Sequence, residues 1–226
     1  MNLIRSIVVT LGIFISISAS ANYSKKYYGF HLCDRPDFRC EKVLRGHTWE
    51  SLYPNESTRT MIKKLNRTNI PLRHRSYHVI PESNFVDYMS LSPMPASVSG
   101  HNEKVVIVDL SQQAFAAYDA AGNKLRWGPI SGGRGYCPDV GRSCRTVTGS
   151  FRVYRKGGPG CVSRKYDNAP MPYCMFFYKG FAMHGAALPG YHASHGCVRM
   201  FRDDAHWLNK QFADIGTKVI VTKGFK

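Results

Sequence analysis

Apolar and polar residues follow different patterns in the two halves of this chain. After residue 103 the apolar runs are short and are separated by Gly, Pro, Asn and Asp, which is typical of strands joined by turns. The run VVIV at 105–108 predicts a buried strand, and one helix is predicted at 203–212. This half is therefore predicted to be mostly β, as a β-sandwich or a mixed sheet. Its other predicted strands are 114–118, 124–130, 149–154, 175–178, 181–183 and 218–222.

The segment 42–81 has a mixed pattern that predicts a small α+β unit. Val43 predicts a strand that runs into a turn, and Thr48 is a suitable N-cap for a short helix. The apolar spacing at 58–65 predicts a second helix, and 77–80 predicts a closing strand. The order strand, helix, helix, strand therefore fits within forty residues.

Two further segments are predicted to lie outside these units. Residues 1–21 combine one early positive charge, a short apolar stretch and an A-x-A site, which is typical of a cleaved signal peptide. We therefore expect export to the periplasm or cell envelope, with no membrane span after cleavage. Residues 82–102 are rich in Pro and Ser and are predicted to form a linker or an extended segment.

Export changes the interpretation of the seven cysteines, because cysteines in an oxidising compartment tend to pair. An odd number leaves one candidate for a reactive thiol. Pairing of sequence neighbours is the simplest scheme and leaves Cys197 free, although another pairing would leave a different cysteine unpaired. The predicted disulfides are Cys33–Cys40, Cys137–Cys144 and Cys161–Cys174.

The formal net charge of +16 predicts attraction to polyanions. The basic residues are spread along the chain, and the sequence contains no recognisable nucleic-acid-binding motif. For an exported protein, anionic envelope polymers are the expected partners, and no nucleic-acid function is predicted.

The stretch MHGAALPGYHASHGCVRM at 183–200 concentrates the candidate chemistry. Cys197 needs a base to become an effective nucleophile, and His184 and His195 are both close in sequence. The backbone N–H groups of Gly196 and Cys197 are candidate donors to an oxyanion. Zinc binding by these residues together with His192 is the main alternative, but the spacing matches no familiar zinc motif.

The residues His184-Gly185 and Ser194-His195-Gly196-Cys197-Val198-Arg199 resemble the signature of the L,D-transpeptidases with a YkuD-type catalytic domain. The resemblance extends over 103–223. It departs from the family pattern in a short loop between His184 and Ser194, in Arg199 where Asn is frequent, and in Thr148 where a Pro-containing turn is usual. We expect the short loop to narrow access to the site without removing catalysis.

This resemblance implies a role for each residue of the motif. Cys197 would be the nucleophile, and His184 the general base, oriented by the carbonyl of Gly185. Ser194, His195 and Gly196 would shape the site, and Arg199 would hold a carboxylate of the substrate. No cofactor and no metal are implied.

The reaction implied by the resemblance is acyl transfer on peptidoglycan stem peptides. The thiol would displace D-Ala from a tetrapeptide stem, and an amine would resolve the thioester. Another stem, an envelope lipoprotein, a D-amino acid or water are all open as acceptors. A carboxypeptidase that uses water and a non-catalytic wall-binding protein remain the alternative functions.

Two further resemblances are less extensive. The unit at 42–81 resembles LysM, a small module that binds the glycan of peptidoglycan. The residues that carry this resemblance are Gly46, Thr48, Trp49, Leu52, Asn66, Asn69 and the closing Ile80-Pro81. A small α+β spacer without a ligand is the alternative. The paired cysteines and the sequence PMPYC at 170–174 resemble the subgroup that includes the enhanced entry protein A of intracellular bacteria.

Overall fold

A computed structural model describes residues 23–83 and 87–224. The predicted signal peptide at 1–21 lies outside the described residues. Within the described ranges, no helix combines the length and the apolar character needed to cross a membrane.

The described chain contains many short strands and few helices. The α-helices are α1 (Trp49–Leu52), α2 (Glu56–Leu65) and α3 (Arg202–Trp207), and α3 continues into a π-helical turn at Leu208–Phe212. The strands are β1 (Phe38–Lys42), β2 (Tyr77–Pro81), β3 (Val105–Asp109), β4 (Ala114–Tyr118), β5 (Lys124–Ser131), β6 (Tyr136–Cys137), β7 (Arg142–Ser143), β8 (Gly149–Arg152), β9 (Arg155–Lys156), β10 (Val162–Ser163), β11 (Ala169–Pro170), β12 (Met175–Tyr178), β13 (Phe181–Gly185), β14 (Val198–Met200) and β15 (Lys218–Thr222).

Nine of these strands form one mixed sheet in the order β8-β15-β3-β4-β5-β14-β13-β12-β9. The pairs β15–β3 and β13–β14 are parallel, and the other neighbours are antiparallel. Only Val153 and Tyr154 separate the two edge strands, β8 and β9, in sequence. Val153 N–H donates to Thr217 at one edge, and Tyr154 N–H donates to Phe176 at the other. The sheet therefore curls until its two edges meet.

Burial on both faces explains why β3 is a continuous apolar run. Val106 and Val108 point into the main core inside the curled sheet, whereas Val105 and Ile107 belong to a second cluster on the opposite face. Residues 87–98 cover that second cluster, where Trp127 Nε1–H donates to the carbonyl oxygen of Tyr88 (2.9 Å). Within the segment predicted as a linker, residues 87–98 thus pack against the sheet, and Tyr88–Leu91 form a short 3-10 helix.

The small N-terminal unit closes through an antiparallel pair, β1 with β2. The strand predicted at Val43 lies earlier in the chain, because β1 begins at Phe38 and ends at Lys42. It falls mostly within a stretch of sequence that shows no clear periodicity. The predicted cap is confirmed, because Thr48 accepts from the N–H of Ser51 in a capping box at the start of α1.

A buried ion cluster fastens the N-terminal unit to the large sheet. The Oδ1 atom of Asp204, a residue with no exposed surface, lies 2.9 Å from Lys64 Nζ of α2 and 2.8 Å from Arg126 Nε of β5. Charges removed from water are tolerated when they are paired and hydrogen-bonded. The two parts of the chain are therefore in direct contact through buried groups.

The predicted fold class is confirmed: the protein is mostly β, with a small α+β unit preceding the large sheet. The strands predicted at 114–118, 175–178 and 218–222 have the observed bounds. The helix predicted at 203–212 corresponds to α3 and its π-helical turn. The prediction at 149–154 is wrong in one respect, since the strand ends at Arg152, where the chain passes from one sheet edge to the other.

Candidate active site

The parallel pair β13–β14 brings the candidate base and the candidate nucleophile together. In its register Met183 lies opposite Val198, and His184 lies opposite Arg199. Met183 and Val198 point into the main core, so the alternation of side chains places His184 and Cys197 on the other face. Both residues line the same cavity. The sequence analysis did not predict β14, whose three residues are too few for a periodic pattern.

His184 is almost fully buried, and its ring is held by the main chain. Its Nδ1 lies 3.0 Å from the carbonyl oxygen of Gly185, the orienting contact that was expected. Because a carbonyl only accepts, we assign the ring proton to Nδ1, which leaves Nε2 as the basic nitrogen. Burial lowers the pKa of His184 to about 4, partly opposed by the hydrogen bond to Gly185. His184 is therefore neutral at neutral pH and able to accept a proton.

Cys197 is the one free cysteine of the described chain, and its thiol lies in an apolar environment with Met171, Phe176 and Ala182. Burial raises the pKa of this thiol, while the N–H of Ala182 and the charge of Arg199 act in the opposite direction. At neutral pH the resting pair is thus a thiol and a neutral imidazole. Such a pair reacts by proton transfer to the base during attack.

Hydrogen bonds fix the turn that presents Cys197. Ser194 Oγ donates to the carbonyl oxygen of Cys197 (2.6 Å) and accepts from the N–H of Gly196 (3.0 Å). Thr146 Oγ1 donates to the carbonyl oxygen of Gly196 (2.8 Å). The N–H of Gly196 is therefore occupied by Ser194, and the N–H of Cys197 has no acceptor among the described residues. Of the two predicted oxyanion donors, only that of Cys197 is available here.

Gly196 is required at this turn for two reasons. Its φ is +130°, which side-chain-bearing residues rarely adopt, and an added Cβ would lie 2.7 Å from a ring carbon of Phe181.

His195 lies at the mouth of the cavity, where two disulfide-closed loops meet. Its Nε2 is 2.5 Å from Oδ2 of Asp139, in the loop closed by Cys137–Cys144. Its ring centroid is 4.8 Å from that of Tyr166, in the loop closed by Cys161–Cys174. This hydrogen bond holds the pKa of Asp139 below its usual range. His195 thus links the two loops beside the nucleophile.

The segment that follows the base is attached to the N-terminal unit. Asn69 Nδ2 donates to the carbonyl oxygen of Ala186 (3.0 Å), and Asn69 Oδ1 accepts from the N–H of Leu188 (2.8 Å). Thr68 Oγ1 donates to the carbonyl oxygen of Leu188 (2.9 Å). Asn69 also lines the cavity, so the N-terminal unit contributes one of its walls.

The cavity around Cys197 has a volume of about 1210 Å³. Its wall combines apolar side chains, such as Met171 and Phe176, with several basic residues. This volume is suited to a peptide rather than to a small metabolite.

The structure also bears on the predictions about disulfide pairing and zinc binding. All three predicted disulfides are confirmed: Cys33–Cys40, Cys137–Cys144 and Cys161–Cys174. His192 is not available as a zinc ligand, because both of its ring nitrogens have partners. Its Nδ1 accepts from Gly132 N–H, and its Nε2 contacts the carbonyl oxygen of Leu110. The side chains of Cys137, Asp139 and His195 lie close enough together to be considered as metal ligands. Cys137 cannot supply a thiolate, however, because it forms a disulfide with Cys144.

Comparison with known protein families gives one assignment. Residues 103–221 match the YkuD L,D-transpeptidase catalytic domain, which is more than half of the chain. The chain belongs to this family. The match includes β13, β14 and the turn between them, so the arrangement of His184 and Cys197 lies within the family's catalytic domain. No curated protein sequence gave a significant match.

The chain is similar to solved structures of L,D-transpeptidases. The L,D-transpeptidase of Xylanimonas cellulosilytica is 31% identical, covers 59% of this chain and 66% of its own, and has a TM-score of 0.50. That of Stackebrandtia nassauensis is 24% identical, covers 55% of this chain and 58% of its own, and has a TM-score of 0.47. The chain thus spans less than two thirds of the length of each of these proteins.

Sequence reasoning identified the residues of the SHGC motif but missed their supports. Asn69, Asp139 and Thr146 contact the site from segments that are 50 or more residues away in sequence. No local pattern marks such contacts. The one available sign was the placement of Asp139 inside a loop closed by neighbouring cysteines.

Proposed function

We propose that this L,D-transpeptidase family member acts on peptidoglycan tetrapeptide stems through a thioester on Cys197. The observation that supports this proposal best is the shared face of β13 and β14, where a buried neutral imidazole and a free thiol line one peptide-sized cavity. The carbonyl of Gly185 takes the place of the carboxylate that orients histidine in many triads.

In the proposed acylation, Cys197 displaces D-Ala from the stem peptide. His184 Nε2 accepts the thiol proton while Cys197 Sγ attacks the carbonyl carbon between the third and fourth residues of the stem. The N–H of Cys197 donates to the oxyanion that forms. The C–N bond then breaks, His184 returns the proton to the departing amine, and D-Ala leaves. A thioester remains on the enzyme.

Resolution of the thioester decides the product. When the amine of a second stem attacks, His184 accepts its proton and returns it to the leaving thiolate, and a 3–3 cross-link results. An envelope lipoprotein or a D-amino acid would react by the same chemistry. Water would give the carboxypeptidase activity, which is the alternative proposal.

We further propose that the protein is exported and remodels the cell wall, since the N-terminal sequence is typical of a signal peptide and three disulfides suit an oxidising compartment. The order β1-α1-α2-β2 supports the proposal that the N-terminal unit is a LysM-like module that binds glycan. We also propose that this chain is similar to the subgroup that includes the enhanced entry protein A.

The test is release of D-Ala from a tetrapeptide-stem muropeptide by the mature, disulfide-bonded chain. We expect release by the unmodified chain and none by Cys197→Ala or His184→Ala. A carbapenem should add one equivalent of mass to the protein at Cys197 and none to Cys197→Ala. Absence of both D-Ala release and the carbapenem adduct in a folded preparation would refute the proposed chemistry.

A further inference from the structure

The cavity around Cys197 is lined by basic residues and by no acidic ones among the residues that the structure describes. The whole chain has 31 basic and 15 acidic residues, so an average surface would carry both signs. Three of the basic side chains are Arg155 of β9, Lys179 of the β12–β13 turn and Arg202 at the start of α3. Six basic residues of the wall have charged groups that pair with no carboxylate of the described residues: Arg155, Arg164, Lys165, Lys179, Arg199 and Arg202.

None of these six side chains forms a salt bridge with a carboxylate within the described ranges. Lys156 also lines the cavity, but its ammonium group donates to the carbonyl oxygen of Ala213 (2.5 Å). Several of the others are held by aromatic rings instead, as in the contact of Arg155 with Phe176 at 3.9 Å. The positive charge of these six side chains is therefore left without a carboxylate partner in the part of the chain that the structure describes.

The charge is concentrated next to the nucleophile. Arg199 follows Cys197 by two residues on the same face of β14 and is half-buried. The positive charge of Arg134 also acts on Arg199, and burial together with that charge lowers the pKa of Arg199. Arg199 lines the cavity and forms no salt bridge with a carboxylate of the described residues, so its guanidinium is arranged to receive an anion.

We propose that this site selects stem peptides whose carboxyl groups are free over the same stems carrying carboxamides, with Arg199 binding the free carboxylate of the third stem residue. The proposal rests on the proposed function and extends it to the choice of substrate. A carboxylate accepts paired hydrogen bonds from a guanidinium and neutralises it, whereas a carboxamide leaves the buried charges uncompensated. The outer basic residues would attract the anionic stem before it binds.

The test compares two synthetic tetrapeptide-stem muropeptides that differ only in the second and third residues, whose carboxyl groups are either free or amidated. We expect kcat/KM for D-Ala release to be at least tenfold higher for the free acids at low salt. The preference should fall as sodium chloride rises, because salt screens the outer charges.

Two variants connect the preference to Arg199. Arg199→Gln should reduce the ratio between the two substrates toward one, and Arg199→Lys should keep part of it, because it retains the charge but not the fork. Arg73→Gln is the matched control, since Arg73 is exposed on the N-terminal unit and does not line the cavity. Its ratio should equal that of the unmodified chain.

The outcomes separate the two proposals. Equal turnover of both muropeptides would overturn the selectivity and leave the proposed function standing. No turnover of either muropeptide, in a preparation whose Cys197 still reacts with a carbapenem, would overturn both. A preference that survives Arg199→Gln unchanged would overturn the assignment to Arg199.

Discussion

Asn69→Ala tests whether the N-terminal unit positions His184, the candidate base. The side chain of Asn69 makes two hydrogen bonds to the segment that begins one residue after Gly185, the residue whose carbonyl orients His184. Alanine removes both bonds and leaves the carbonyl of Ala186 and the N–H of Leu188 without these partners. At about 0.5–1.5 kcal/mol for each bond, the attachment weakens by about 1–3 kcal/mol.

The loss should appear in the reactivity of Cys197. If about 1.4 kcal/mol of it is expressed in the transition state of acylation, the rate falls about tenfold. We would measure the second-order rate constant for carbapenem acylation by intact mass, together with the free energy of unfolding in urea. Carbapenem is used because its reaction reports on the nucleophile and base without requiring recognition of a stem.

Two variants provide the comparison for Asn69→Ala. Asn123→Ala removes an amide of the same type from a hairpin turn distant in sequence from the motif, where it contacts Asp119, and should acylate at the unmodified rate. Thr68→Val removes one bond to Leu188, whose carbonyl oxygen also accepts from the N–H of Asn69, and its effect should be smaller. Acylation of Asn69→Ala at the unmodified rate would refute the positioning role.

Three further results are expected. Asp204→Ala should lower the free energy of unfolding by about 3–5 kcal/mol in urea denaturation, because it leaves Lys64 buried and unpaired; Glu103→Gln, which breaks an exposed pair with Arg152, should have a much smaller effect, and equal effects would contradict this reasoning. Alkylation of Cys197 by iodoacetamide should be slow at pH 7 and rise above the ordinary thiol range, since burial raises its pKa; a plateau already at pH 6 would instead indicate a preformed thiolate. The denatured, unreduced chain should show one thiol and the reduced chain seven, and three before reduction would refute the disulfide pairing.

Most strands of the large sheet were predictable because the burial of their side chains produces local apolar patterns, whereas the short strands β9 and β14 were not. The run at 105–108 is apolar on both faces since the main core and the cover at 87–98 bury alternate residues. The strand β1 was misplaced toward Val43 because Phe38–Lys42 is mostly polar and owes its position to pairing with β2. Pairing between segments 40 residues apart leaves no local periodicity to detect.

The candidate site likewise has one part that the local sequence reveals and another part that only the fold brings together. The SHGC motif could be recognised because the candidate nucleophile, the turn and the candidate oxyanion donor lie within four residues. The support of its base could not, since Asn69 and Leu188 are 119 residues apart in sequence. The net charge was likewise visible from composition, but only the fold shows that its basic residues converge on Cys197.

This convergence also bears on how the thiol is activated. Arg199 favours the thiolate of Cys197, whereas burial opposes it. A stem carboxylate bound to Arg199 would cancel that positive charge and displace water from the cavity, and both changes raise the pKa of the thiol further. The bound enzyme would then depend on His184, kept neutral by burial, to remove the proton during attack. Binding of an anionic substrate and general-base catalysis by a neutral histidine are therefore two consequences of the same arrangement of charge.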